Sequence, residues 1–495
     1  MSTTDIRTYG HWIDGGFVDP AGGEWFDSHN PYTGDVWARI ARGNEADVDR
    51  AVTAAAGAQK EWAARTATDR GKVLVRFAEL IEANSKALAE VEVRDNGKLY
   101  AEMSGQTRYM AEWYRYYGGL ADKVEGSVVP TDKAHVLNYT RKEPLGVVAM
   151  ITPWNSPLLL LSWKLPAALA AGNAIVVKPS EFTSASTLEL MSIAEEAGVP
   201  AGLINVVTGF GTEVGQPLVA HPGIAKIAFT GSDTAGRHIN QAAAADFKHT
   251  SMELGGKSPN IVFDDADLDA AATGIISGIF AATGQTCIAG SRALIQRSVH
   301  DEVLDRVVKI AETATIGDPM DPDTHVGPVT TPAQYKKVLD YIDIAKTEGA
   351  QVRLGGGPYE GPGAQGGQFV SPTILTEVDN SMRIAQEEVF GPVLSVIPFE
   401  TEEEGIALAN DTPYGLAAGV WTDDIGRAIR VSDALQAGTV WVNTYRAVSF
   451  LSPFGGYKQS GLGRESGIEA IQEFLQTKSV WISTSKDTGN PFVLK

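Results

Sequence analysis

The sequence predicts an α/β protein organised around parallel sheets, and three observations carry that expectation. Short β-branched runs alternate with helix-length segments from residue 145 onward. The runs are GVVAMI (146–151), AIVVK (174–178), LINVV (203–207), KIAFT (226–230) and NIVF (260–263). Unbroken apolar strands joined by crossover-length segments fit strands buried on both faces of a parallel, doubly wound sheet. Small residues cluster where several of these strands end, the usual ligand side of such a sheet. A second alternating region, from 268 to about 445, predicts a further α/β unit.

The length of 495 residues suits about three domain-sized units at ~150 residues each. Residues 47–65 and 70–95 read as helices. In the second, Val73, Phe77, Leu80, Ile81, Leu88 and Val91 share one face that Asn84 interrupts. The basic-aromatic segment from Tyr109 to Tyr117 extends the helical character. The Gly-rich stretch 355–367 reads as a surface turn. SVWIST (479–484) reads as a strand with no obvious partner nearby, which suggests pairing with another subunit.

Hydrophobic residues make up 43% and charged residues 21%, an ordinary globular mix. A net charge of −20 argues against nucleic acid and anionic membranes as partners. A single cysteine cannot form an internal disulfide, which fits a reducing, cytoplasmic setting. The N-terminus shows no basic region followed by an apolar core. The most apolar stretch, Pro157 to Val177, is split by Lys164, Pro166, Gly172 and Asn173, so it does not read as membrane-spanning. The eight histidines are scattered, with no C-x-x-C or H-E-x-x-H, so no metal site is expected.

The strand AIVVK runs into Lys178, Pro179, Ser180 and Glu181. An ammonium and a carboxylate three residues apart suit a ribose and its phosphate, and the negative Glu181 leans towards NAD over NADP. The strand KIAFT runs into Gly231, Ser232, Asp233, Thr234, Ala235 and Gly236, where small residues let a backbone approach a pyrophosphate. This is not G-x-G-x-x-G. Gly209-Phe210-Gly211 is a fragment of that pattern, but Val214 replaces its last glycine. Gly256-Lys257-Ser258 resembles the end of a P-loop, but Ser251 stands where the required first glycine would be.

Cys287 lies among small and polar residues in Gly284-Gln285-Thr286-Cys287-Ile288-Ala289-Gly290. That setting suits a thiolate approached by a substrate, although a lone cysteine is more often an inert buried hydrophobe. Glu253 enters a Gly-Gly turn and could act as a base, or be a plain surface glutamate. Asn155 follows another strand, where its amide could donate to an oxyanion or cap a helix.

The order TPWN (152–155), KPSE (178–181), FTGS (229–232), ELGGKSP (253–259), GQTC (284–287), EEVFGPV (387–393) and PFGGYKQSG (453–461) resembles the aldehyde dehydrogenase superfamily, in its hydrolytic, non-phosphorylating branch. The resemblance runs from about residue 10 to 485. It implies an aldehyde substrate and NAD, with NADP as the alternative cofactor. Cys287 would form a thiohemiacetal and then a thioester, and Asn155 would hold the oxyanion. Glu253 would activate the hydrolytic water, and Lys164 with Glu465 would relay protons. Relatives that pass the acyl group to coenzyme A lack this base, so Glu253 implies water as acceptor.

The resemblance also implies dinucleotide contacts at Ile151, Thr152, Trp154, Lys178, Ser180, Glu181, Gly211, Phe229, Thr230, Gly231, Ser232, Glu253, Leu254 and Gly255. Glu388 and Phe390 would hold the nicotinamide ribose and ring. Tunnel positions fall at Tyr109, Trp113, Ser156, Trp163, Ile288, Arg446 and Val448. Ser156 stands where many relatives carry an aromatic residue, which would widen the entrance. Trp113 and Tyr109 would favour an apolar or aromatic aldehyde. Arg446 would bind a substrate carboxylate or form a salt bridge at a subunit contact.

The architecture so implied has a Rossmann-like cofactor domain (1–124 and 145–253), a catalytic domain (254–455) and a small β oligomerisation element (125–144 and 476–495). That element would serve a homodimer or homotetramer. Two other functions compete: a non-redox thiol esterase or acyl-transferase using Cys287 and Glu253, and a non-catalytic structural relative. The motifs around Lys178, Gly231 and Glu388 speak against the first, because a hydrolase needs no dinucleotide site. The joint presence of Cys287, Glu253 and Asn155 speaks against the second.

Overall fold

A computed structural model describes residues 6–486 and 492. Five parallel strands form the heart of an eight-stranded sheet. They run in the order His249–Glu253, Lys226–Thr230, Val147–Ile151, Ala174–Lys178 and Ile204–Val206. In chain order this is 5-4-1-2-3, so the winding reverses between Val147–Ile151 and Lys226–Thr230. A crevice at the carboxyl ends of those two strands is the usual ligand position of such a sheet. The last four strands of this order are wholly buried, as their apolar runs predict.

Antiparallel strands close both edges of this sheet. Gly461–Leu462 pairs with His249–Glu253, while His11–Ile13 and Gly16–Val18 continue beyond Ile204–Val206. The strands before residue 45 escape the sequence reading because they are only three to six residues long. The helices Glu45–Ala64 and Ala67–Asn96 do form. Asn84 is accommodated in the second by donating to the Leu80 carbonyl four residues back. Tyr109 to Tyr117 is not one helix: Met110 separates Tyr100–Tyr109 from Ala111–Leu120.

The strand Pro259–Val262 belongs to a different sheet from the four apolar runs before it. It lies in a seven-stranded sheet with Arg292–Gln296, Thr373–Thr376, Val393–Phe399, Ala417–Trp421 and Thr439–Val442, all parallel, and with Gln351–Leu354 as an antiparallel edge. The link between the sheets is Leu254–Ser258. It carries the chain from the carboxyl end of one sheet to the amino end of the other.

The strand Leu475–Ser483 is not an orphan. It pairs antiparallel along its length with Val136–Pro144 of the same chain, which also pairs with Val128–Val129. Among the described residues no strand pairs with its other edge, and Val128, Leu137, Trp481 and Ile482 of this sheet are exposed. Part of the expected tail element, 487–491 and 493–495, lies outside the described residues. Among the described residues no helix is long and apolar enough to cross a membrane.

Candidate active site

The carboxyl ends of the first sheet face loops at the amino ends of the second, and a cleft of about 570 Å³ opens between them. Trp154, Asn155, Thr230, Gly231, Ser232, Glu253, Leu254, Gly255, Cys287, Glu388 and Phe390 all line it. Residues more than 230 positions apart in sequence therefore share one wall.

Cys287 sits between the short turn Ala281–Gly284 and the strand Arg292–Gln296. Ala282, Thr283 and Gly284 are successive left-handed residues, with φ of 55°, 55° and 67°. For the two non-glycine residues this costs roughly 1–2 kcal/mol each. Neighbours hold the turn in place. Ala282 N–H donates to Glu102 at 2.9 Å, and Thr283 Oγ1 donates to the Gly327 carbonyl at 3.2 Å. A methyl group at Gly284 would stand 2.1 Å from the Gly391 carbonyl oxygen, so only glycine fits there.

The fully buried Gln285 clamps the next step of the loop. Its Oε1 accepts from Thr330 N–H at 2.9 Å and its Nε2 donates to the Pro328 carbonyl at 3.3 Å. Asn155 Nδ2 donates to the Gln285 carbonyl at 3.0 Å, which turns its amide towards the nucleophile loop. One further N–H of that amide is left for an incoming oxyanion.

Backbone N–H groups of Cys287 and Ile288 point at the half-buried sulfur. Burial, with Glu388 and Glu253 adding negative charge, nevertheless pushes the thiol up to about 12. The resting sulfur is therefore protonated, and attack requires a proton acceptor.

Glu253 ends its strand in the interior, so it is not a surface glutamate. Neither carboxylate oxygen has a hydrogen-bond partner among the described residues. Burial first, and Glu465 second, raise its pKa well above the ordinary range. The Gly-Gly turn that follows permits close approach: a methyl at Gly256 would lie 2.6 Å from the Cys287 carbonyl oxygen, and one at Gly255 2.6 Å from Glu388 Oε2. Gly455, in the PFGG motif, faces Glu253 in the same way, at 2.9 Å from Oε1.

Lys164 Nζ and Glu465 Oε1 form a buried ion pair at 2.5 Å, and Lys164 also donates to Thr230 Oγ1 at 2.5 Å. Burial raises the Glu465 carboxyl, and the Lys164 charge opposes that rise.

On the dinucleotide side, Ser232 caps the helix Asp233–Ala245 by accepting from Ala235 N–H. Glu388 Oε1 accepts from Gly256 N–H at 3.0 Å. Phe390, at φ 60°, meets the Trp154 ring edge-on at 5.2 Å. Gln334 Nε2 fixes this turn by donating to the Val389 and Phe390 carbonyls. Lys178 Nζ lies 3.5 Å from Glu181 Oε2 and donates to the Pro179 carbonyl. Lys178, Ser180 and Glu181 follow the neighbouring strand rather than line the cleft itself. Ile151 and Thr152 end the switch-point strand, and Phe229 is buried behind Gly231. Gly211 is exposed, in the turn after Ile204–Val206.

The expected tunnel residues divide. Tyr109 is partly exposed and packs on Trp113 and Phe450 at 5.1 and 6.2 Å. Trp113 is fully buried, stacked at 6.0 Å on Trp163 and bonded through Nε1 to Ser466. It backs the aromatic wall. Ile288 is buried and Val448 half-buried, its carbonyl accepting from Tyr109.

Lys98 Nζ donates to the Ser156 hydroxyl at 2.9 Å. Arg446 Nη1 donates to the Ser277 carbonyl at 3.3 Å and stands 3.9 Å from Glu102, so it has in-chain partners.

Lys98, Glu102, Gln285, Gln334 and Phe450 escape the sequence reading. Asn-Gly-Lys at 96–98, just past a long helix, was the available signal for the first; nothing local marks the others.

Residues 17–480 match the Aldehyde dehydrogenase family, and the chain belongs to it. The chain is 46% identical over 489 residues to the (Z)-2-((N-methylformamido)methylene)-5-hydroxybutyrolactone dehydrogenase of Acinetobacter baylyi, covering 98% of this chain and 99% of that protein. Betaine aldehyde dehydrogenase of Staphylococcus aureus, solved in complex with NAD+, superposes with a TM-score of 0.97 at 40% identity, covering 98% and 97% of the two chains. An aldehyde dehydrogenase of Bacillus cereus superposes at 0.94 with 44% identity and 97% coverage of each.

Proposed function

We propose that this enzyme oxidises an aldehyde to its carboxylic acid with NAD, through an acyl thioester on Cys287. The observation that carries the reading is the meeting of Cys287, Glu253 and Asn155 in a cleft walled by Gly231, Ser232 and Glu388. When bound, the nicotinamide accepts the hydride. Ser232 and the helix behind it offer N–H groups to the pyrophosphate. Glu388 is placed for the nicotinamide ribose, and Lys178 with Glu181 for the adenosine ribose. The negative Glu181 favours NAD over NADP.

Covalent catalysis divides a hard oxidation into two easier steps. Cys287, half-buried in the open cleft, gives its thiol proton to cleft water and attacks the carbonyl carbon, while Asn155 and the Cys287 N–H hold the developing oxyanion. Glu253 then takes a proton from the water that releases the acid, and Lys164 with Glu465 carries that proton onward. The supporting assay is NADH formation from a panel of aldehydes with both cofactors. No reduction of either cofactor by any aldehyde would revive a non-redox thiol esterase. In Asn155→Ala, kcat falls about 10²–10³-fold with little change in NAD binding, because an oxyanion donor acts chiefly in the transition state.

The aromatic wall of Tyr109 and Phe450 supports an apolar or aromatic aldehyde. Lys98 has Glu102 and Glu92 as counter-charges, whereas Arg446 has one carbonyl and the more distant Glu102, and its remaining guanidinium donors support a carboxylate on the substrate's far end. Arg446→Ala therefore lowers kcat/KM at least about tenfold more for carboxylate-bearing aldehydes than for neutral ones, the worth of one charged hydrogen bond. Equal losses for both would leave Arg446 a structural residue.

We read the chain as a cofactor domain (1–124 and 145–253), a catalytic domain (254–455) and an oligomerisation element built on Val136–Pro144 and Leu475–Ser483. The edge left unpaired among the described residues and the exposed Trp481 and Ile482 of that element support a homodimer or homotetramer. The lone cysteine supports a cytoplasmic setting.

A further inference from the structure

The proposed hydrolysis leaves a proton in the interior. Water adds to the thioester carbon, the C–S bond breaks and a C–O bond forms. The departing sulfur takes the product acid's proton and Glu253 holds the other. The products are carboxylate, Cys287 thiol and protonated Glu253, and that last proton must leave before the next turnover. Glu253 stands on the inner wall of the cleft, with Lys164 and Glu465 buried behind it, so a route that leads away from the cleft needs a further group nearer solvent.

A second ion pair, buried at its lysine and open at its carboxylate, stands beyond them. Lys226 Nζ lies 3.2 Å from Glu473 Oε2. Lys226 is 1% exposed, whereas the Glu473 side chain is 31% exposed. Lys226 and Thr230 occupy the same strand four residues apart, so their side chains share a face, about 13 Å apart along the backbone. Thr230 accepts from Lys164 at the inner end of that face.

Gly463, two residues before Glu465, covers Glu473. A methyl there would stand 3.2 Å from both carboxylate oxygens, so the bare backbone leaves the carboxylate room. The two pairs also sense one another, since Lys226 and Glu473 both act electrostatically on Glu465, and Glu473 on Glu253. Burial lowers the Lys226 ammonium below the ordinary lysine range, which eases its giving up a proton.

We propose that the Lys226–Glu473 pair is the outlet through which the proton collected at Glu253 and passed to Glu465 and Lys164 reaches solvent. The inference rests on the hydrolytic thioester reading above. Glu473 touches neither substrate nor cofactor, and it acts through the groups in front of it.

The test uses the full-length enzyme with NAD and an aldehyde that the wild type turns over. In Glu473→Gln, the first-turnover burst of NADH keeps its rate and amplitude, while steady-state turnover falls about tenfold, less than the ~10²–10⁴-fold of a group that transfers a proton in the transition state, because Glu473 only clears the proton afterwards. Adding a small proton carrier such as imidazole restores turnover, and Glu473→Asp retains most of it. A burst in the wild type with normal steady-state turnover in Glu473→Gln overturns the outlet alone. So does a loss that imidazole does not rescue, which marks a structural ion pair. Absence of any acyl adduct on Cys287 when the enzyme is quenched during turnover overturns both the outlet and the thioester on which it depends.

Discussion

Cys287→Ala forms no NADH from any aldehyde, a fall of more than about 10⁴-fold in kcat, because losing a covalent nucleophile removes the whole route. NAD still binds, since Ser232, Glu388, Lys178 and Glu181 are untouched, and a fluorescence titration with NADH shows it. The fold also survives. Cys287 is half-buried, and the loop is held by Gln285 and by the Tyr445 hydroxyl, which donates to the Ile288 carbonyl at 3.0 Å. Cys287→Ser is almost as inactive, because a serine hydroxyl holds its proton far more tightly than a thiol and is the weaker nucleophile here.

Glu253→Gln has the second largest effect. Steady-state turnover drops by about 10²–10⁴-fold, the range of a positioned general base. Oxidation up to the thioester survives, so rapid mixing shows one burst of NADH and then near silence. The isosteric amide keeps the packing against Gly455.

The pH dependence of the wild type follows from the same group. Burial and Glu465 hold the Glu253 carboxyl well above the ordinary range, so the protonated, inactive form persists at higher pH than for an ordinary glutamate. Deacylation therefore rises as pH rises through that raised pKa, and in Glu253→Gln this limb of the profile disappears.

Much of the first sheet was legible because its strands are buried on both faces and read as unbroken apolar runs. NIVF carries the same signature, yet it starts the second sheet. Local pattern marks a buried strand without saying which sheet it joins, and the two-glycine link before it makes the crossing. Leu475–Ser483 looked partnerless because its partner, Val136–Pro144, lies more than 330 residues earlier.

Cys287, Asn155 and Glu253 were legible through ordered motifs; each side chain alone had a plainer reading as core thiol, helix cap or surface acid. Lys98 and Gln285 were not, because their importance lies in whom they meet. Lys98 meets the Ser156 hydroxyl across 58 residues of sequence. Gln285 ties the nucleophile loop to the carbonyl of Pro328 and the amide of Thr330. Arg446 carries a side chain that reads as a substrate anchor, and the fold supplies it with Glu102 and the Ser277 carbonyl.

On the proposed route Cys287 carries the acyl group between oxidation and hydrolysis. Mass spectrometry of Glu253→Gln mixed with NAD and a turned-over aldehyde, quenched after the burst and read as intact protein and as peptides, shows the group itself. One acyl group per chain is expected, located on the Cys287 peptide and equal in amount to the NADH formed. NADH accumulating with no adduct on Cys287, or an adduct on another residue, would contradict it.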